Sequence, residues 1–212
     1  PKDHDYKTTP GIWALTAAGT FDYYYQGFAA TLAASGRTDL IVRIGWEANH
    51  INRAWYCGAD KDNYILTFQR IVTILRAAVP TVTIEWCCMK KGAQKDSITN
   101  YYPGNDYVDL IGVNYYDVWP AHNNQAAWDK QFMMQYPSIK KGLPPPVQGP
   151  WGLGQWLAFA VANGKKLAIS EWAIWVGGTN GASVDNPFFI TKMFEFFTCL
   201  LYTSPSPRDG LL

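Results

Sequence analysis

Leu40–Glu47, LIVRIGWE, is a short apolar run that ends on an acid. Downstream of it, Tyr64, Ile65, Phe68, Ile71, Val72 and Leu75 fall at the spacing of one helical face, and Pro80 closes that element. Val82–Trp86, VTIEW, then follows at once as a second apolar run. Strand, amphipathic helix and strand in this order form a βα unit with parallel strands, because a parallel pair needs a crossover that a tight turn cannot supply. The same alternation extends both ways. Upstream, Gly11–Ala17 (GIWALTA) predicts another short buried strand, and a helix from about Phe21 to Ser35, carrying Phe28 and Leu32, stops at Gly36. Downstream come a strand at Val108–Tyr115 (VDLIGVNY), a helix at Gln155–Ala162 ended by Gly164, and a strand at Leu167–Glu171 (LAISE). Pro187, after Asp185 and Asn186, opens a last apolar helix to about Leu200.

Five strands whose starts lie 26 to 59 residues apart fit an α/β fold of the (β/α)8 TIM barrel type with loop insertions. Five units do not close eight, and such barrels need about 250 residues. The expectation is an incomplete barrel, with units missing before Gly11 and after Leu200. A doubly wound open sheet is the alternative, but no Gly-rich phosphate loop follows any strand. Residues 1–199 are read as one partial barrel domain. Leu200–Leu212 (LLYTSPSPRDGLL) is read as a tail, similar to the translated adapter run found at the ends of metagenomic gene fragments.

Hydrophobic residues at 48% and charged residues at 17% suit a chain that buries a core. Eighteen Lys and Arg against 17 Asp and Glu leave a charge of +1, with no basic run to track nucleic acid or an anionic membrane surface. No apolar run has the length that spans a bilayer, and no signal peptide is visible in the sequence, which starts without Met. The four cysteines lack paired CxxC spacing and the three histidines lack ligand spacing, so neither a metal nor another cofactor is expected. Cys57 and the Cys87/Cys88 pair each follow a predicted strand, which leaves a disulfide between neighbouring loops and buried thiols both open.

In a β/α barrel the reacting groups sit at the carboxyl ends of the strands. Of only four glutamates, Glu47 and Glu171 both occupy such ends. Strand alternation puts Arg43, Gly45 and Glu47 on one face, and Leu167, Ile169 and Glu171 on another. If those faces point inward, the two carboxylates meet at one mouth. Glu85 is expected on the face opposite Trp86, toward the helices, and Glu195 on the solvated stripe of the last helix. Trp46, Trp55, Trp86, Trp119, Trp172 and Trp175 follow or end strands and form a candidate sugar-stacking rim, with Trp13, Trp128 and Trp156 assigned to the core. Asn49, His50, Asn114, Tyr115, Tyr116 and Asp117 could bond hydroxyls there. Paired carboxylates are what glycoside hydrolysis uses, retaining at about 5 to 5.5 Å separation and inverting at roughly 6.5 to 9.5 Å.

RIGWEAN (Arg43–Asn49), YYPGNDYVDLIGVNYYD (Tyr101–Asp117) and LAISEW (Leu167–Trp172) resemble retaining glycoside hydrolase family 26, from about Gly11 to Thr198. The resemblance implies an acid/base Glu at the end of strand 4, carried to Glu47, and a nucleophile at the end of strand 7, carried to Glu171. The visible strands would then be numbers 3 to 7, with the first two and the last missing. It also implies a Tyr bonded to the nucleophile, Tyr116 rather than Tyr115, and an Arg below the carboxylates, Arg43. Trp46 stands where mannanases of the family carry His, which leaves β-mannan, mixed-linkage β-glucan and β-1,3-xylan as substrates. The implied protein is a secreted enzyme, monomeric when complete, acting on a β-linked polysaccharide without nucleic-acid or membrane partners. A non-catalytic carbohydrate-binding or scaffold barrel is the alternative.

Overall fold

The fold is known from a computed structural model that describes residues 11–90, 92, 97–118, 121–134, 150, 152–175 and 185–203. Its sheet has four parallel strands in sequence order, β1 (Ile41–Arg43), β2 (Thr83–Met89), β3 (Leu110–Asp117) and β4 (Lys166–Ile174). Six α-helices among the described residues accompany them: α1 (Ile12–Ala17), α2 (Asp22–Ala34), α3 (Lys61–Ala78), α4 (Gln125–Phe132), α5 (Leu153–Ala162) and α6 (Pro187–Thr203). A parallel sheet whose strands alternate with helices fits part of a (β/α)8 barrel.

The α3 helix forms as its periodicity dictates. Asp60 caps it by accepting from the Asn63 amide, and Tyr64, Phe68, Ile71, Val72 and Leu75 are buried. Arg76 in its last turn pairs with Asp109 at 3.0 Å, and Asp109 also accepts from the Ile84 amide at 2.7 Å. One carboxylate thus joins the helix to the start of two strands. On the far side of α3, Asp22 of α2 forms a 2.6 Å pair with Arg70.

Gly11–Ala17 is a correction. It is the helix α1, not a strand, and Trp13 packs edge-on against Tyr64 of α3 with ring centroids 5.3 Å apart. A short apolar run has no period that separates a buried strand from a buried helical turn, and here the contact with α3 decides it. The strands described are therefore four, and the expected assignment to numbers 3 to 7 loses its first member. The short helix α4, capped by Asn124 through the Ala127 amide, carries buried Trp128 and is not marked in the hydrophobic pattern. The last helix runs to Thr203, beyond the expected stop near Leu200, so the expected tail is helical over its first residues. No disulfide joins the described cysteines, and Cys57, Cys87 and Cys88 are buried. Burial pushes the Cys87 thiol up to about 12 despite the opposing Arg43 charge.

Gly112 of β3 is pressed against the inner side of β2: a Cβ there would overlap the Glu85 carboxylate. Ser170 donates to that carboxylate at 2.6 Å and Arg43 faces it at 3.5 Å, so it has little freedom to move aside. Gly112→Ala is expected to destabilise the fold by about 1–3 kcal/mol. Chemical denaturation measures this, and an unchanged midpoint would show that the two strands are not so closely fitted.

Candidate active site

The inner face of the sheet is polar. It carries Arg43 of β1, Glu85 and Cys87 of β2, Asn114 and Tyr116 of β3, and Ser170 and Glu171 of β4, linked by hydrogen bonds and ion pairs. Arg43 Nη2 donates to Glu171 Oε1 at 2.9 Å, to Asn114 Oδ1 at 2.9 Å and to Cys87 Sγ at 3.1 Å. Glu85 is 2% exposed and faces Arg43, contrary to the expectation that it points toward the helices. The parity of β2 is the reverse of that expected. Trp86 takes the outer side instead, fully buried, donating from Nε1 to the Tyr64 hydroxyl at 2.9 Å and packing on Trp156 and Phe159 of α5. Its size and apolarity favour the helix-covered side, whereas Glu85 finds a cation on the other.

Glu171 reaches the inner face through an irregularity that simple alternation does not contain. Gly112 pairs with Ala168 and Asn114 pairs with Glu171, so two steps along β3 match three along β4. That extra residue is a β-bulge, which lets both Ser170 and Glu171 meet inner-face partners. Tyr116 donates to Glu171 Oε2 at 3.0 Å. Partial burial works to raise the Glu171 carboxyl. Hydrogen bonds from Arg43 and Tyr116, the guanidinium charge and Asn114 outweigh it and hold the group below its ordinary value of 4.5. The same contacts act in reverse on Tyr116, whose phenol is raised by burial, by its bond to Glu171 and by the charges of Glu171 and Glu47.

Glu47 arrives by a turn rather than a strand. The strand β1 ends at Arg43, and Gly45 and Glu47 both have left-handed backbone, at φ 55° and 53°. Among the described residues Glu47 is the one non-glycine in that region, a conformation that costs about 1–2 kcal/mol. The turn is held by Ala48 and Asn49. Ala48 N donates to Cys87 O, while the Asn49 side chain donates to Met89 O at 2.9 Å and accepts from Met89 N at 2.8 Å. The Glu47 carboxylate is buried and both oxygens accept: Oε1 from Asn114 Nδ2 at 3.2 Å, Oε2 from Arg53 Nε at 3.2 Å and Nη2. Asn114 therefore spans the two acids. Its Nδ2 bonds Glu47, and its Oδ1 shares the Arg43 nitrogen that bonds Glu171.

The remaining expected residues divide. Trp46, 38% exposed, lies against Trp55 with centroids 4.5 Å apart, and Trp55 Nε1 donates to Trp46 O at 2.7 Å. Trp175, 51% exposed, meets Tyr116 edge-on at 5.9 Å. These three stay beside the carboxylates. Trp172 does not, because the bulge turns it outward onto Phe194 and Phe197 of α6. Asn49 has its amide engaged on Met89, so it shapes the turn instead of facing the cleft. Trp119 lies outside the described residues. Tyr115 and Asp117 point away from the cleft into a buried cluster, in which Tyr115 bonds His122 Nε2 at 3.1 Å, and Asp117 binds His122 Nδ1 at 2.9 Å and Asn186 at 2.6 Å. Burial lowers the His122 pKa in spite of Asp117. Asn186 also caps α6 through the Phe189 amide at 3.3 Å. Sequence spacing did not reveal Arg53, Ser170 or this cluster; Asn186 before Pro187 was visible only as a helix start. No group of three or more His, Cys, Asp and Glu among the described residues is arranged to hold a metal.

No family model matches the sequence, and no curated protein is significantly similar to it. Among solved structures, the chain is similar in fold to a GH26 β-mannanase from Bacteroides ovatus, BoMan26A, with a TM-score of 0.53 and 16% identity. The match covers 78% of this chain and 45% of the mannanase chain, so this chain spans less than half of that structure.

The Tyr116–Glu171 bond has a direct consequence. A folded-state value below 4.5 means that ionised Glu171 stabilises the fold above about pH 4.5, and that this stabilisation is lost as pH falls through the lowered value. Tyr116→Phe removes one donor and is expected to raise the Glu171 titration midpoint, read from its carboxyl carbon by NMR. An unmoved midpoint would contradict the bond.

Proposed function

We propose that this chain carries the catalytic centre of a retaining β-glycosidase that acts on a β-linked polysaccharide, with Glu171 as nucleophile and Glu47 as acid/base. One observation carries the reading: an ionised carboxylate held by Arg43 and Tyr116 and a second, buried carboxylate converge on the same asparagine. A glycosidic bond needs two acids with unlike duties in one place. Glu171, kept anionic, attacks the anomeric carbon as the leaving oxygen takes a proton from Glu47. In the second half, Glu47 takes a proton from water, and that water displaces Glu171 from the sugar. Arg43 on Oε1 and Tyr116 on Oε2 keep the Glu171 carboxylate aimed and charged between turnovers.

The polar face between these acids, with Trp46 and Trp175 exposed beside it, suits hydroxyl-rich rings that stack on indoles. The likeness to a β-mannanase supports the fold and the class of reaction. Trp46 in place of a His before the acid/base argues for testing β-mannan beside mixed-linkage β-glucan and β-1,3-xylan. A polymeric substrate goes with an extracellular site of action.

Glu47→Ala is expected to lower kcat/KM on the preferred polysaccharide by about 10²- to 10⁴-fold, and Glu171→Ala by at least as much. Azide should restore turnover of an activated glycoside by Glu171→Ala and leave a glycosyl azide product. Near-normal hydrolysis by either variant would remove that residue from its role.

A further inference from the structure

Arg53 occupies two positions that the proposed reaction needs empty. Its Nε and Nη2 both donate to Glu47 Oε2, while Asn114 donates to Oε1, so each oxygen of the carboxylate is already an acceptor. A carboxylic acid that gives up a proton must carry an O–H on one of them, and an oxygen facing two N–H donors has no place for it. The same guanidinium lies over the indole of Trp46, 5.3 Å from the ring centroid. That ring is the exposed aromatic surface next to Glu47, and a sugar stacked on the covered side has to take the place of the guanidinium.

The other neighbour of Trp46 is fixed. Trp55 is tied by its Nε1 bond to Trp46 O at 2.7 Å and seated against Gly45, where a Cβ would lie 3.0 Å from Trp55 Cδ1. Arg53 has a long side chain that is 35% exposed, on a backbone anchored by its own amide to His50 O at 3.0 Å. The side chain can leave without disturbing the turn that positions Glu47. Glu47 is the buried end of this pair and Arg53 the partly exposed one. When a ring stacks in place of the guanidinium, the carboxyl it leaves is relieved of an unpaired buried charge by taking up a proton.

We propose that Arg53 is a displaceable occupant of the sugar platform on Trp46, so that a sugar ring stacking there removes the guanidinium from Glu47 and frees Oε2 to hold the catalytic proton. Binding and acid readiness are then coupled: the acid is capped by a cation in the empty cleft and uncapped by the ligand that needs it. The coupling rests on the assignment of Glu47 as the acid, but the displacement itself is a statement about binding and is measured without turnover.

The test uses the full chain carrying Glu171→Ala, which binds without hydrolysing, titrated calorimetrically with mannohexaose, a mixed-linkage β-glucan oligosaccharide and a β-1,3-xylan oligosaccharide. Adding Arg53→Met removes the competitor and is expected to tighten binding of the recognised oligosaccharide by roughly 3- to 10-fold, the strength of a cation–π contact that the sugar no longer has to displace. Arg53→Gln should tighten it in the same direction, and Arg53→Lys should return it toward the parent value. Trp46→Ala should weaken binding and abolish the effect of Arg53→Met, which a merely structural role for Arg53 would not do. Equal or weaker binding in both Arg53→Met and Arg53→Gln would overturn the proposal while leaving the glycosidase reading intact. Failure of the Glu171→Ala chain to bind any of the three saccharides would instead count against that reading, and the proposal would fall with it.

Discussion

Arg43 ties the four described strands to one another. From β1 its Nη2 reaches Cys87 on β2, Asn114 on β3 and Glu171 on β4, while its Nε faces Glu85 at 3.5 Å. Without it, Glu85 would be a nearly inaccessible carboxylate held by the Ser170 hydroxyl. Removing one partner of a buried pair leaves an uncompensated charge and costs about 3–5 kcal/mol. The arginine therefore serves the fold through Glu85 and the site through Glu171. Gly112 belongs to the same arrangement, since its missing side chain is the space the Glu85 carboxylate fills.

Three glutamates and two arginines share this small region, and their pairing sorts the acids by environment. Glu85 is buried between Arg43 and Ser170, which makes it structural. Glu171 is half-open, with donors on both oxygens that favour its anion. Glu47 is buried in a left-handed turn, and its cation is a partly exposed arginine of the turn that follows, not one held in the sheet. In the proposed reaction, unlike environments for two neighbouring carboxyls divide them into an attacking group and a proton carrier. The exposed indoles follow the same division, with Trp46 on the Glu47 side beneath Arg53 and Trp175 on the Glu171 side against Tyr116.

Much of this was legible in the sequence because it depends on local period. The buried face of α3, the strands around Val82, Val108 and Leu167, and the glycine stops at Gly36 and Gly164 follow from spacing and φ alone. The meeting of Glu47 and Glu171 was expected from their places at strand ends, whereas Tyr116 and Arg43 beside them were implied by the family resemblance and not by spacing. The reason given for that meeting was incomplete, however. Alternation cannot see that β4 carries an extra residue before Glu171, nor that β1 stops at Arg43 and hands Glu47 to a turn. The bulge sends Trp172 to α6, and the parity of β2 sends Trp86 into the core and Glu85 inward. Arg53 gave no signal because a turn, with no fixed period, brings it to Glu47. GIWALTA misled because a single turn of apolar helix and a short buried strand have the same composition.

The central claim is that Glu171, held anionic by Arg43 and Tyr116, is the group that bonds to the sugar. Incubation of the full chain with a 2-deoxy-2-fluoroglycoside bearing a good leaving group, followed by peptide mass spectrometry, measures this directly, because the fluorine slows release of a covalent intermediate. The account predicts one fluorosugar on the peptide containing Glu171, absent from Glu171→Ala. An adduct on Glu47, or inactivation with the sugar on neither glutamate, would contradict it.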